Sequence, residues 1–291
     1  MGCRGRTIWA IMVLLSMGYA EAGWVTLDAP GAAHTVIYGI EGSNLVGWYA
    51  DSTWYPQHGF VYDGRTWLTV DAPGANQTWV MGIEGNNLVG WYSPMYSIRE
   101  YGFIYDGLSW ATLSAPGSFQ TGFCDIDGGN LAGTYTSNNE WHGFIYDGTN
   151  WTTVDKPGAA NTWVLGIDGG NLVGCYGTVT DVRGFLYDGT DWSEIDVPGA
   201  MWTFAYGVDA SNLAGTFGDA GGIHGFLYDG SSWLTLDAPG ANETWVYKIE
   251  GDNVVGRYVD DAGWHGFVYT IPEPATVWLL GFGVVMLRRR R

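Results

Sequence analysis

The sequence predicts an all-β protein: a six-bladed β-propeller of four-stranded antiparallel blades, its ring closed by the N-terminal strand. Three observations lead there. A unit of 41 to 43 residues recurs six times, marked by Pro-Gly at Pro30, Pro73, Pro116, Pro157, Pro198 and Pro239. Each unit holds four short apolar runs separated by turn residues, and nothing in the body keeps a helical period over a useful length. The last copy stops after its third run, at "HGFVYT" (265–270), and the run it lacks stands alone near the other end as "WVTLDAPG" (24–31).

In chain order, residues 1–22 read as a signal peptide. Arg4 and Arg6 precede an apolar run from Ile8 to Met17, and Ala20-Glu21-Ala22 supplies a small-x-small cleavage pattern. The body, 23–270, opens on the orphan strand. The second repeat shows how each unit works. "TWVMGIE" (78–84) alternates apolar residues and meets the turn "GNN"; "LVGWY" follows, then a variable loop, then "GFIYDG" and "LSWATL". Asp-Gly between two apolar runs is a strong hairpin signal. With the first strand lent to the last blade, every unit has four strands and no edge of the ring stays open. A solenoid, the alternative, would leave residues 24–28 unpaired.

Residues 271–291 form a tail of different character: Pro272-Glu273-Pro274, an uncharged stretch from Ala275 to Leu287, and Arg288, Arg289, Arg290 and Arg291. Thirteen residues of helix cover about 20 Å, short of a hydrocarbon core of about 30 Å. The segment suits transient membrane association with the arginines on the cytoplasmic side. Its three-part order resembles the PEP-CTERM sorting signal of Gram-negative bacteria. The resemblance implies processing by an exosortase near Pro272–Pro274 and an exported body at the cell surface, outer envelope or extracellular matrix. It also implies bacteria that make exopolysaccharide and form biofilm. The repeat "GIEGNNLVGWY…HGFVYDG" is similar to HAF-type extracellular repeats, with Gly where that motif has Ala. This second resemblance implies location and fold and names no activity.

Charge narrows the function. Setting aside Arg4, Arg6, the four terminal arginines, Glu21 and Glu273, the body keeps 6 basic and 28 acidic residues, a net charge of −22. Nucleic acid is excluded as a partner, because its phosphates demand the opposite sign. Solubility, cations and neutral polar partners are favoured. Cys124 and Cys175 lie in different repeats and are expected to be two buried free thiols rather than a disulfide.

Residues that recur in every copy are expected to build blades. Trp24, Trp67, Trp110, Trp151, Trp192 and Trp233 head the outer strands and should pack in the core. Thr35 and its five equivalents should bond nearby backbone. Asp63, Asp106, Asp147, Asp188 and Asp229 should cap hairpin turns, and Asp28, Asp71, Asp155, Asp196 and Asp237 should cap the Pro-Gly turns. His58, His142, His224 and His265 precede Gly-Phe, but Tyr101 and Arg183 take that place elsewhere. A structural role fits this pattern better than a metal site.

Function is expected where copies differ. The loops between second and third strands (50–57, 93–100, 136–141, 177–182, 218–223 and 259–264) vary most, and the opposite, turn-bearing face is uniform. Trp54, Tyr55, Tyr96, Trp141, Trp202 and Trp264 put aromatic plates on the variable face, beside Asn76, Asn161 and Asn242. Apolar sugar faces stack on rings and hydroxyls find acceptors, so these six residues are the candidate ligand site. On the inner strands Gly39, Gly82, Gly166 and Gly207 align with Asp125 and Lys248, three blades apart and so opposite across the axis. They form a candidate channel site, though each could make a local contact instead.

No nucleophile elbow, zinc-binding helix or phosphate loop is present, and no catalytic residue or metal ligand is assigned. No cofactor is expected. Calcium could meet the acidic turns, but "GIDGGN" lacks the ligand density of a dedicated loop. The expected function is an exported, surface-sorted, non-catalytic propeller that binds glycan or matrix exopolysaccharide. A structural surface protein without a specific ligand, and a propeller glycosidase or lyase, are the alternatives.

Overall fold

The structure, a computed structural model, describes residues 23–51, 54–178 and 181–272. The expected signal peptide and the tail from Glu273 onward lie outside the described residues. Every regular element among those described is a strand. The chain opens on β1 (Gly23–Leu27) and runs through β2 (His34–Glu41), β3 (Asn44–Ala50), β4 (His58–Tyr62) and β5 (Trp67–Thr69). The second repeat gives β6 (Ala75–Glu84), β7 (Asn87–Pro94), β8 (Tyr101–Tyr105) and β9 (Trp110–Leu113). The third gives β10 (Gln120–Asp127), β11 (Asn130–Ser137), β12 (Glu140–Tyr146) and β13 (Trp151–Val154). The fourth gives β14 (Asn161–Asp168), β15 (Asn171–Thr178), β16 (Asp181–Tyr187) and β17 (Trp192–Ile195). The fifth gives β18 (Trp202–Asp209), β19 (Asn212–Gly218), β20 (Ile223–Tyr228) and β21 (Trp233–Leu236). The last holds β22 (Glu243–Glu250), β23 (Asn253–Val259) and β24 (Trp264–Thr270).

Strands pair antiparallel within each repeat. The second, third and fourth repeats are separate four-stranded sheets. The other three are joined into one twelve-stranded sheet, and the joints are single parallel bridges, Ile223 to Glu243 and His34 to Trp264. Six separate four-stranded sheets were expected; three repeats instead share one sheet, because neighbouring strands come close enough at these two points to bridge. β1 pairs with β24 in a register from Gly23 opposite Thr270 to Leu27 opposite Gly266.

The recurring glycine of the "VG" pair has a steric origin. A Cβ on Gly47 would lie 1.9 Å from the Val36 carbonyl oxygen on the neighbouring inner strand, so no side chain fits there. The core is divided between neighbouring repeats. Val46 and Val70 of the first, for example, pack on Val80, Leu88 and Phe103 of the second. Phe60, Phe103, Phe144, Phe185, Phe226 and Phe267 are fully buried, each with its outer-strand tryptophan against it. Trp24 makes this contact with Phe267 at 4.7 Å, so the two ends of the body reproduce what every other unit makes within itself.

The recurrent polar residues fall into distinct tasks. The hydroxyl of Thr35 accepts from Ala29 N–H at 3.0 Å, and Thr78, Thr121, Thr162, Thr203 and Thr244 do the same to their own preceding turns. Asp63 accepts from the backbone of Arg65 and Thr66, the expected turn cap, and those bonds hold its carboxyl below the usual range. The acids before Pro-Gly do not cap turns as expected. Asp71 pairs with His58 at 2.7 Å, Asp155 with His142, Asp237 with His224 and Asp28 with His265, each at 2.8 Å; Asp196 pairs with Arg183. The physical reason is reach: the third strand passes beside the Pro-Gly connection, and a basic ring there is the better partner for a half-buried carboxylate. Where Tyr101 replaces the histidine, Ser114 replaces the acid.

Candidate functional site

The body presents two unlike faces. Hairpin turns, each an Asp or Glu followed by Gly or Ala, share one face; the variable loops and Pro-Gly connections share the other. The inner strands β2, β6, β10, β14, β18 and β22 border one axial channel that opens at the turn face.

Each inner strand carries a β-bulge at the same place, beside Tyr38, Met81, Cys124, Leu165, Tyr206 and Tyr247. A bulge re-aims the residue after it. That next residue is the aligned glycine, Asp125 or Lys248. At this waist the strands approach backbone to backbone: a Cβ on Gly82 would lie 3.2 Å from Asp125 Cα, and one on Gly207 would lie 2.9 Å from Lys248 Cα. Asp125 and Lys248 meet across the axis, the Lys248 ammonium donating to Asp125 Oδ2. The same carboxylate accepts from Ile167 N–H and Ile126 N–H, each at 3.0 Å. The structure thus brings the two channel candidates together, directly rather than through a bridging group. Their pairing closes the waist.

Toward the turn face the channel widens into a mouth of about 150 Å³ ringed by Glu41, Glu84, Asp127, Asp168, Asp209 and Glu250. Each carboxylate accepts from a backbone N–H in the next repeat's turn: Glu41 from Gly85, Glu84 from Gly128, Asp127 from Gly169, Asp168 from Ala210, Asp209 from Gly251. Glu250 completes the circuit by accepting from Gly42 at 2.8 Å. Sequence reasoning missed this ring, although an acid following the inner-strand Ile or Val in all six copies was its signal. Among the described residues no group of three or more His, Cys, Asp or Glu side chains is arranged to hold a metal ion.

Toward the loop face the inner strands are aromatic, and buried Trp48 and Tyr247 pack there with Tyr38, Trp54, Trp79, Trp245 and Trp264 as one hydrophobic cluster. Phe204, Trp202, Trp245, Tyr247, Tyr38, Trp79 and Trp48 form a continuous series of ring contacts along the fifth, sixth, first and second repeats. The third repeat contributes Gly122, Cys124 and Thr134 at matching positions, so the aromatic wall is a crescent rather than a ring. Arg257 sits inside it, its guanidinium 3.4 Å from the Trp264 ring centroid and 4.9 Å from that of Trp245. Its Nε donates to the Tyr247 hydroxyl at 3.0 Å, and its buried Nη1 has no protein partner. Burial pushes the hydroxyls of Tyr38 and Tyr206 far up, which keeps them neutral donors.

The six aromatic candidates distribute unevenly. Trp54 and Trp264 meet edge to face at 4.7 Å, and Trp54 stacks on His34 at 3.9 Å. Trp202 joins the crescent through Trp245 at 5.9 Å. Trp141 stands apart, 6.3 Å from Trp163. Tyr55 is exposed, and Tyr96 is fully exposed on a neighbouring loop. Trp54 and Tyr96 both hold φ near +65°, at 68° and 64°, a region that costs a bulky residue energy and often marks a functional position. Asn161 accepts from Trp141 N–H and donates to the Gly177 carbonyl, so it braces the loop. Beside Tyr55, a cleft of about 170 Å³ is lined by Pro30, Tyr49, Asp51, Pro56 and His58. Cys124 and Cys175 are free thiols; burial pushes Cys124 up to about 12 and raises Cys175 well above its ordinary value.

Residues 270–291 match the PEP-CTERM protein-sorting motif. The motif marks the chain for export and sorting to the cell surface, and it implies processing by an exosortase. No curated protein matches the chain. Among solved structures, TolB from Acinetobacter baumannii is similar over 78% of this chain and 64% of its own, at 12% identity and a TM-score of 0.54. The β-propeller domain of the trilobed protease from Pyrococcus furiosus is similar over 82% of this chain and 94% of its own, at 10% identity and a TM-score of 0.52. A sialidase from Trypanosoma rangeli is similar over 81% of this chain and 53% of its own, at 12% identity and a TM-score of 0.50. The chain spans less than two thirds of the TolB and sialidase chains. At these identities the likeness shows a propeller-like fold and nothing of activity.

Proposed function

We propose that the exported body is a closed six-bladed propeller of HAF-type repeats whose loop face binds glycan, matrix exopolysaccharide foremost, without catalysis. Two observations support closure: β1 pairs with β24, and the carboxylate circuit passes from Glu250 back to Gly42. The observation that carries the binding reading is the aromatic crescent. Indole and phenol rings gathered at one end of a channel, with Trp54 held in a strained conformation beside Trp264, match the flat apolar faces of sugars. The buried guanidinium Nη1 of Arg257 adds a fixed polar donor of the kind that orients such a ligand.

A non-catalytic role fits the distribution of acids. The ring carboxylates are bonded to amides and the waist carboxylate to Lys248, and neither group stands as an acid pair flanking the crescent. Purified residues 23–272, titrated with a glycan array and with the host's exopolysaccharide, should bind saturably. Trp54→Ala and Trp264→Ala should each cost about 2 kcal/mol, roughly thirtyfold in Kd. Absence of binding would leave a structural surface protein, and shortening of the polymer during incubation would establish a glycosidase or lyase.

A further inference from the structure

We infer that the turn-bearing face is the side the sorted protein turns toward the cell envelope, and that the loop face is presented outward. The inference rests on the sorting motif and on the path of the chain, and not on the ligand.

β24 runs from Trp264, beside the variable loops, to Thr270, which lies opposite Asn253 at a hairpin turn. The chain does not leave freely there. Ile271 N–H donates to the Asp252 carbonyl at 2.7 Å, and the Ile271 side chain packs against the core between the fifth and sixth repeats. Ile271 and Pro272 together line a groove of about 360 Å³ with Trp233, Leu234 and Ile249. The folded body therefore holds the chain up to the residue before Glu273, and the sorting motif, which begins at residue 270, overlaps the last strand. The described chain thus stays against the body as far as Pro272, the first residue of Pro-Glu-Pro.

A chain held to the turn face as far as Pro272 fixes which face approaches the membrane-embedded processing enzyme. Gly23, opposite Thr270, leaves by the same face, so both ends of the body lie there. The turns on this face are short and alike, and they are bonded to one another through the carboxylate ring. The loop face, at the other end of the channel, carries the variable segments.

Two cysteines in the same repeat test this. Ala220 is exposed in a variable loop and Ser231 is exposed in a hairpin turn close to Ile271. The protein's own thiols give little background, because burial holds both protonated. Whole cells carrying Ala220→Cys or Ser231→Cys are treated with a membrane-impermeant, polymer-linked maleimide. On cells Ala220→Cys should react several-fold faster than Ser231→Cys, and in the purified body the two should react alike. A Gly-Ser linker of about 20 residues inserted between Thr270 and Ile271, which leaves Pro272-Glu273-Pro274 and the tail after it unbroken and reaches about 25 Å on average, should abolish the difference on cells. Equal or reversed rates on cells without the linker, or a protein with no cell-associated form, would overturn the inference. Because glycan binding is not the readout, its failure leaves this result intact.

Discussion

At the scale of single residues, the waist of the channel shows how two departures from a repeated glycine become one interaction. Asp125 and Lys248 are half a circuit apart in sequence, and each alone would be a costly charge in a largely buried position. Paired, and with Ile167 N–H and Ile126 N–H serving the carboxylate, they are satisfied. Removing one partner strands the other. Asp125→Ala is expected to destabilise the body by about 3 kcal/mol, and the double variant Asp125→Leu/Lys248→Met to recover most of that loss. Urea unfolding measures both; equal losses in the single and double variants would show that the pairing contributes nothing. The two positions stood out in the sequence because they broke a pattern, but their partnership did not. It depends on strand bulges that aim both side chains inward.

At the scale of elements, β1 is held by more than its ladder. Trp24 lies against Phe267 and Tyr269, and Asp28 pairs with His265 of β24. Burial alone would lower the His265 pKa, but Asp28 and Asp260 outweigh it and hold the ring above its ordinary value. A raised value means that the protonated ring stabilises the folded state fully below the unfolded pKa, about 6.5, and that this contribution is lost as pH rises through the folded value. Unfolding free energy should therefore decline as pH climbs above about 6.5, and His265→Gln should remove that part of the slope. A variant with the native slope would exclude the pair. His34, lowered by burial and by His265, acts with the opposite sign: its contribution is lost as pH falls. The histidine–aspartate pairs were partly legible, since Tyr101 and Ser114 change together within one repeat, which is what a contact between the two positions requires.

At the scale of the whole molecule, the proposed ring depends on joining the ends of the body. Each repeat shares its core with its neighbours, so an unjoined pair of ends would expose apolar surface on two sides at once. Deleting residues 23–31 removes β1, Trp24 and Asp28 together. The expected result is a large fall in melting temperature with loss of a single cooperative transition, followed by calorimetry; an unchanged transition would refute closure by β1. The same closure bears on binding, because the aromatic crescent runs from the fifth and sixth repeats into the first and second and so spans the junction.

The sequence by itself determined what local chemistry and repetition can encode: strands rather than helices, the repeat and its length, the hairpin caps at Asp63 and its equivalents, the orphan first strand and the sorting tail. These follow from periodicity, from glycine and aspartate at turns, and from residues recurring at fixed spacing. Only the tertiary structure decided which equivalent residues touch. The carboxylate ring, the ion pair at the waist and the crescent of tryptophans each join side chains from different repeats, and their geometry depends on how closely and at what tilt the sheets pack around the axis. Spacing along a chain carries no information about distance across a channel, and that distance decides whether Trp54 meets Trp264 and whether Asp125 meets Lys248.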